Sequence, residues 1–564
     1  MLHSALQGGV LHPSGMPLQA WVNRLLVSVM PGPPGYILSW VSWTGAVGTC
    51  ALIFLTLRTL GVRARESVLA LVAYAYIPVV AMMSIIPEKY SWLSLTQMFF
   101  IYILVRTHTQ KDMGTRDCLW LSFALALALS QHSANVILLP VFLYALARRL
   151  WLQKKARGRE FKNLTVSILT LVLITGAFYS SLLLMRSSAP WPDWGHLETL
   201  GDVWNHAVRT DYGNIKLFNS DDGSDRVSAL VLLGKGMASW NLGILFVLLG
   251  LFALVRSKTG RFIWALLLMI LLPGLGVLTR TAMPGADFGT AMGYQERYPL
   301  LVWPVLILFW GVGLSWLLTR MSRYEKWIMG VVSVFLGVFV ADSYVKQSYA
   351  DNNMVEIYRE QASYELNDFA IFWTSSDFIG FYGIPRSNGV LFPLKNMMGM
   401  PWYRDHVLPA LSPPVARILR EAHPQSSPGL FREAITEGFK IILTEPTPFL
   451  DQQDIMALAE HTGVLWAFSS SNNALYTKQL IANTLHLCTL LPRIQRGVPE
   501  DGMYFLREFL NSFRFAFMSA ADYLQSQMQL PSAEAARNVA TQLVPGRTPE
   551  DWRQKCDSYI ASLK

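Results

Sequence analysis

A chain of 564 residues that is 52% hydrophobic and only 15% charged, with a mean hydropathy of +0.31, is too apolar for an ordinary soluble protein, in which about a quarter of the residues are charged. The net charge of +9 is dispersed as basic runs between apolar runs, as in cytoplasmic loops, and forms no basic stripe for nucleic acid. Four scattered cysteines lack zinc-module spacing and are too few for a disulfide scaffold.

The chain opens on a Pro-bracketed turn, His12-Pro13-Ser14-Gly15-Met16-Pro17-Leu18. Each proline fixes its own φ and pushes the preceding residue out of the helical region. After Pro17, the apolar residues Leu18, Trp21, Val22, Leu25 and Leu26 recur at helical spacing, interrupted by Asn23 and Arg24. That pattern predicts a short amphipathic helix on a membrane surface, against the alternative of a proline-rich loop before a buried helix.

Ten apolar runs then follow as candidate spans, since a crossing helix needs roughly 20 apolar residues. They are Tyr36–Leu57, Val68–Ile86, Leu93–Val105, Leu119–Ser130, Val136–Ala147, Leu164–Leu184, Leu242–Val255, Phe262–Leu278, Tyr298–Leu318 and Trp327–Val340. Alternate loops beginning at Arg58, Arg106, Arg148, Arg256 and Arg320 hold 19 Lys and Arg, while the intervening, longer set holds 8. The excess of positive charge marks the first set as cytoplasmic. The amphipathic lead, the loops at Glu88, His132, Arg209 and Glu296, and everything after Val340 are then expected outside.

From about Ala341 the composition becomes that of a soluble domain. Phe369–Thr374 and Lys440–Leu443 read as strands, Phe431–Phe439 as a helix and Ala474–Thr477 as a further strand, giving an α/β layer. Beyond Leu480 the pattern is helical, with helix starts at Pro531 and Pro549. Four regions are therefore expected: an extracytoplasmic lead and interfacial helix over 1–35, a transmembrane domain of about ten helices over 36–341, an extracytoplasmic α/β domain over 342–480, and a helical segment over 481–564. Cys488 and Cys556 could pair if this part is extracytoplasmic; two free thiols are the preferred reading.

Several polar residues on the outer side could carry chemistry. Glu88 suits a general base or a cation ligand, and His132 suits phosphate binding or proton transfer. For both, spacing alone favours the plainer reading of a helix-boundary charge and a hydrogen-bonded turn histidine. Arg209 near Tyr212 could clamp a phosphate that carries a sugar, and an amphipathic loop helix with interfacial tryptophans explains the same loop equally well. Glu296-Arg297-Tyr298 reads as an ion pair at a helix end. No Gly-rich phosphate loop, GxSxG, HExxH or CxxC is present, which leaves nucleotide hydrolysis, serine chemistry and a zinc protease unsupported.

Taken in order, these segments resemble a known family. Gly9-Val10-Leu11-His12-Pro13-Ser14-Gly15-Met16-Pro17-Leu18 is similar to the G-V-A-H-P-P-G-x-P-L signature of the protein O-mannosyltransferase-like branch of the GT-C membrane glycosyltransferases. Glu88-Lys89-Tyr90 stands where that family has E-V-Y. Leu127–His132, with Pro140 beyond, resembles its G-L-x-x-x-N-H-x-T…P segment. Trp194-Gly195, Arg209 and Tyr212-Gly213 resemble its W-G-D…R-x-E-Y-G loop, Glu296-Arg297-Tyr298 its R-E-R-D-Y element, and Pro401-Trp402-Tyr403-Arg404 its P-W-Y-R element. The likeness covers residues 1 to about 410. Ser14 replaces a proline, Gln131 an asparagine, Ala134 a threonine and His196 an aspartate.

The resemblance implies a GT-C-like helical polytopic membrane protein that moves a sugar, with inversion, from a polyprenyl-phosphate donor to a protein or glycan acceptor on the outer face. His12 and Arg209 would contact the donor phosphate, Trp194 and Tyr212 would shape the sugar site, and Glu88 and His132 would be catalytic, Glu88 assisting at the acceptor or at a divalent cation. The expected setting is a bacterial inner membrane. The family also carries an acidic D-S-G-E element and a first hydrophobic helix ahead of the segment that begins here at Met1. Met1 is accordingly expected to be an internal start, and the chain as written to lack its principal base. The rival classes are a transporter or flippase of lipid-linked sugars, whose polar residues should lie near mid-membrane, and a membrane scaffold.

Overall fold

The computed structural model describes residues 10–11, 16–86, 88–109, 114–152, 157–185, 197–208, 210, 243–256, 258–280, 298–347, 354–365, 370–374, 389–393, 441–443, 459–468, 474–494 and 504–563. The chain forms two compact units, Met1–Gln347 and Ser348–Lys564. The first is a helical membrane unit.

Helix α1 (Pro17–Val29) starts on Pro17, whose missing N–H belongs to the helix's unpaired first turn anyway. Helix α2 (Pro34–Thr59) likewise starts on a proline, and it ends where Gly61 takes a left-handed φ of +84°. The expected span Val68–Ile86 is not one rod. It splits into α3 (Ala64–Ala75) and α4 (Pro78–Ile85), bent by 75°, because Pro78 can neither donate to the preceding turn nor leave Ile77 helical.

The unit continues with α5 (Tyr90–Thr109), α6 (Thr115–Gln131), a 3-10 turn over Ser133–Leu138, α7 (Leu139–Leu152) and α8 (Arg157–Ser180). After a short helix α9 (Leu200–Ala207) come α10 (Gly243–Arg256), α11 (Lys258–Arg280), a 3-10 turn over Tyr298–Leu301, α12 (Trp303–Arg320) and α13 (Glu325–Gln347). Every expected span falls on one of these helices or helix pairs. By length and composition, four stretches among the described residues can cross a membrane: Pro34–Thr59, Phe161–Leu184, Trp303–Arg320 and Ser322–Asp342, or five if the bent pair counts as one. The others are shorter or more polar; α5, for example, buries Ser91, Ser94, Thr96 and Gln97.

Small residues set the closest crossings. A Cβ on Gly250 would collide with the Phe309 carbonyl, and one on Gly313 with the Phe246 carbonyl, so α10 and α12 pack backbone against backbone. Gly45 and Gly48 admit Trp92 and Leu95 in the same way where α2 meets α5. At the end holding the basic loops, Arg63 pairs with Glu66 at 2.7 Å and with Glu325 at 3.1 Å, and Arg65 pairs with both carboxylates. This quartet ties the start of α3 to the start of α13.

The second unit begins with α14 (Met354–Glu365) and carries a five-stranded mixed sheet in the order β2-β1-β3-β5-β4. Strand β1 (Ala370–Thr374) runs parallel to β2 (Gly389–Pro393) and β3 (Ile441–Leu443), while β5 (Trp466–Phe468) is antiparallel to β3 and to β4 (Ala459–His461). Helices α15 (Ala474–Leu490), α16 (Tyr504–Ser526), α17 (Leu530–Gln542) and α18 (Pro549–Ser562) follow. Three sequence expectations meet this unit. Ala474–Thr477 is the first turn of α15 and not a strand, since four mixed residues carry no period of their own. The expected boundary at 480 falls inside α15. Cys488 and Cys556, expected as free thiols, form a disulfide between α15 and α18 with Cα atoms 5.4 Å apart. The expected helix Phe431–Phe439 lies outside the described residues.

Glu365, at the end of α14, is buried against the β4–β5 turn. Its carboxylate accepts from Gln361 Nε2 at 2.8 Å, Thr462 Oγ1 at 3.0 Å, Val464 N at 2.8 Å and Leu465 N at 3.3 Å. Burial pushes its pKa up to about 7 against these four donors.

Candidate functional site

One end of the membrane unit collects the segments that flank the sequence-predicted residues. Helix α1 is polar inward. Gln19 and Asn23, one turn apart, are buried and share a hydrogen bond of 3.1 Å, while Leu25 and Val29 are 60% and 63% exposed. The sequence reading treats Asn23 as an interruption of the apolar face; it belongs instead to a buried polar face. The signal was the i, i+4 spacing of the two carboxamides. At the head of α1, Met16 sits at φ +44°, left-handed backbone that costs a residue with a Cβ about 1 kcal/mol.

Gln131 joins three of these segments. This last residue of α6 is fully buried, and its Nε2 donates to Gln19 Oε1 at 2.9 Å and to the Lys89 carbonyl at 3.2 Å. The backbone of Glu88 is gripped from the other side by Ser42 of α2. Its N–H donates to Ser42 Oγ and its carbonyl accepts from the same hydroxyl, both at 3.3 Å. Glu88 therefore sits on a short bridge between α4 and α5 that is pinned to α2 and α6.

His132 follows at the break between α6 and the 3-10 turn. Its Nδ1 accepts the Ala134 N–H at 3.0 Å, capping that turn. A ring nitrogen that accepts from a backbone amide cannot hold the proton, so the neutral imidazole carries it on Nε2. In this geometry the neutral ring can donate only through Nε2. Nearby, Asn135 Nδ2 donates to the Ala128 carbonyl at 2.8 Å, and Ser94 and Gln97 donate to the carbonyls of Leu300 and Leu301 at 3.3 and 2.8 Å. The 3-10 turn that follows Glu296-Arg297 is thereby held against α5. Gln97 Oε1, Ser130 Oγ, Gln131 Oε1 and Asn135 Oδ1 are buried with no partner among the described residues. This end of the bundle has hydrogen-bonding capacity that the helices do not consume.

Helix α9 approaches from the long loop. Thr199 and Asp202 cap it reciprocally, Asp202 N donating to Thr199 Oγ1 at 3.2 Å and Thr199 N to Asp202 Oδ2 at 2.8 Å. Its buried His206 bonds the Leu11 carbonyl through Nε2 at 3.1 Å. Val10, Leu11, Met16 and Ala20 pack with Leu182, Met185, Leu197 and Val203 in one apolar cluster, and Trp21 Nε1 donates to Ser181 Oγ at 2.7 Å. His206 was not singled out by the sequence, where it is one polar residue in a polar loop.

Of the predicted site residues, Glu88 and His132 are described, and the Gln131 side chain beside His132 bonds the carbonyl of Lys89 beside Glu88. His12, Trp194, Arg209 and Tyr212 lie outside the described residues, as do Glu296, Arg297 and the segment 401–404. The described neighbours of two of them do meet: Leu11, next to His12, bonds His206, three positions before Arg209. Among the described residues no group of three His, Cys, Asp or Glu could hold a metal ion.

No family model matches the chain. Over 340 residues it is 25% identical to the mouse (Mus musculus) protein O-mannosyl-transferase TMEM260, a match covering 57% of this chain and 46% of that protein. The chain thus matches less than half the length of this relative. The likeness is that of a distant relation to a protein O-mannosyl-transferase.

Proposed function

We propose, with that distant relation as the premise, that the chain is a membrane glycosyltransferase taking a sugar from a polyprenyl-phosphate donor at the extracytoplasmic face. A mannosyl donor and a hydroxyl-bearing protein acceptor follow the relative's name. In this reading the acceptor oxygen attacks C1 of the sugar, the C1–O bond to phosphate breaks with inversion, polyprenyl phosphate leaves with the electron pair, and the acceptor hydroxyl's proton ends on the departing phosphate. His12 and Arg209 hold the phosphate, Trp194 and Tyr212 border the sugar, and Glu88 orients the acceptor hydroxyl or holds a divalent cation. His132 binds the phosphate or transfers a proton.

The observation that carries the reading is the joining of Gln19, Lys89 and Gln131 by one buried amide, with Leu11 held by His206 beside the same helix α1. Segments far apart in sequence are drawn to one end of the bundle, which suits surface chemistry better than a mid-membrane transport path. Two observations support the outward orientation of that end and of the second unit: the excess of Lys and Arg in the alternate loops, and the Cys488–Cys556 disulfide, which persists in oxidising compartments.

The test uses the full-length protein, with any coding sequence upstream of Met1 included, in lipid nanodiscs with polyprenyl-phosphate mannose labelled in the sugar. Release of polyprenyl phosphate, coupled to label on an acceptor and lost in Arg209→Ala, is the expected result. Release no faster than from empty nanodiscs refutes it. In sealed vesicles, label that crosses the membrane still attached to its lipid identifies a transporter.

A further inference from the structure

We propose that Gln131 is a positioning residue for this site, holding the Glu88 bridge and the interfacial helix α1 in mutual register. The inference rests on the sugar-transfer reading above. Gln131 is the last residue of α6, has no exposed surface, and spends both hydrogens of one carboxamide on two other elements, Gln19 Oε1 of α1 and the Lys89 carbonyl between α4 and α5.

The Lys89 carbonyl also accepts the Leu93 N–H at 3.0 Å, so the same oxygen starts α5 and receives Gln131. The Lys89 carbonyl lies one residue from Glu88, and the other side of that residue is fastened by Ser42. Ser42 sets where the bridge lies against α2, and Gln131 sets where it lies against α6 and α1. Gln19 is itself held by its bond to Asn23, so the chain Asn23–Gln19–Gln131–Lys89 is continuous. The next residue, His132, is fixed by its own bond to Ala134. One amide thus sets the spacing between the two residues assigned to catalysis and the helix that follows His12, without itself touching substrate.

The carboxamide reaches a side chain on one element and a carbonyl on another. Removing the donors while keeping the shape should release the bridge without opening a cavity. A displacement of the order of 1 Å at a reacting group costs roughly 100-fold in rate.

The experiment compares the full-length wild type with Gln131→Met, Gln131→Glu and Gln131→Asn in nanodiscs, measuring kcat and the KM for polyprenyl-phosphate mannose together with thermal unfolding. Gln131→Met and Gln131→Glu should lower kcat by about 10- to 100-fold while the donor KM stays within about threefold, because Arg209, the arginine assigned to the phosphate, belongs to a segment that Gln131 does not bond. Gln131→Asn, which still donates, should recover most of kcat even where its unfolding temperature matches that of Gln131→Met. Three results overturn the inference: unchanged kcat in Gln131→Met, a loss carried by the donor KM, or losses that track unfolding temperature across all three variants. A wild type that transfers no sugar removes the functional reading, and this inference with it; a wild type that transfers while the variants match it removes the inference alone.

Discussion

Glu365 lets the stability of the second unit be read as a function of pH. Its carboxylate is buried at the β4–β5 turn with a pKa raised from 4.5 to about 7, burial being the largest cause and its four donors working the other way. In the unfolded chain the same group titrates near its ordinary value. Below pH 4.5 both states hold the proton, and the contribution to stability is at its fullest. As pH rises toward 7 the unfolded state loses its proton first, so unfolding becomes easier; above about 7 both are ionised and the loss is complete. A displacement of that size corresponds to ~3 kcal/mol, or on the order of 100-fold in the opening equilibrium. The assay is hydrogen exchange of the full-length protein at Thr462–Leu465, corrected for intrinsic exchange, between pH 5 and pH 8. Protection should fall across that interval in the wild type and stay level in Glu365→Gln. Protection that is level or rising in the wild type, or a slope that survives in Glu365→Gln, refutes the reasoning.

Two further predictions concern packing and orientation. Gly250→Ala and Gly313→Ala each place a methyl group on a facing carbonyl, and each should cost about 1–3 kcal/mol, seen as earlier thermal unfolding in detergent; unfolding at the wild-type temperature would show that α10 and α12 are not in backbone contact. A reporter fused after Lys162 should face the cytoplasm, and Cys488 and Cys556 should resist an impermeant maleimide until reduced. A reporter outside the cell would reverse the assigned orientation, and thiols reactive before reduction would refute the disulfide.

Helix placement was legible because apolar runs and prolines act locally: Pro17 and Pro34 start α1 and α2, and the polar break at Gln131–Asn135 separates α6 from α7. The break at Pro78 was equally local, yet the apolar run from Val68 to Ile86 masked it. The missed features are those set by distant partners. Gln131 and Gln19 are 112 positions apart, His206 and Leu11 are 195 apart, and the paired cysteines are 68 apart. Sequence periodicity reports one element at a time; the family resemblance marks Gln131 as a departure from asparagine, and neither shows what its amide reaches. Glu88 and His132 were singled out by their place in outer loops, while the tautomer of His132 depends on an amide supplied by the turn itself.

Helix α1 keeps its carboxamides inside and turns Leu25 and Val29 outward. Stripped of lipid, those two side chains would be left in water, forgoing of order 1–3 kcal/mol each. Solubilisation is therefore not neutral for this protein: a harsh, small-micelle detergent that fails to coat this flank weakens the seat of Gln19, and through it the loop bearing Glu88. An inactive purified sample would then report on the choice of amphiphile before it reports on chemistry.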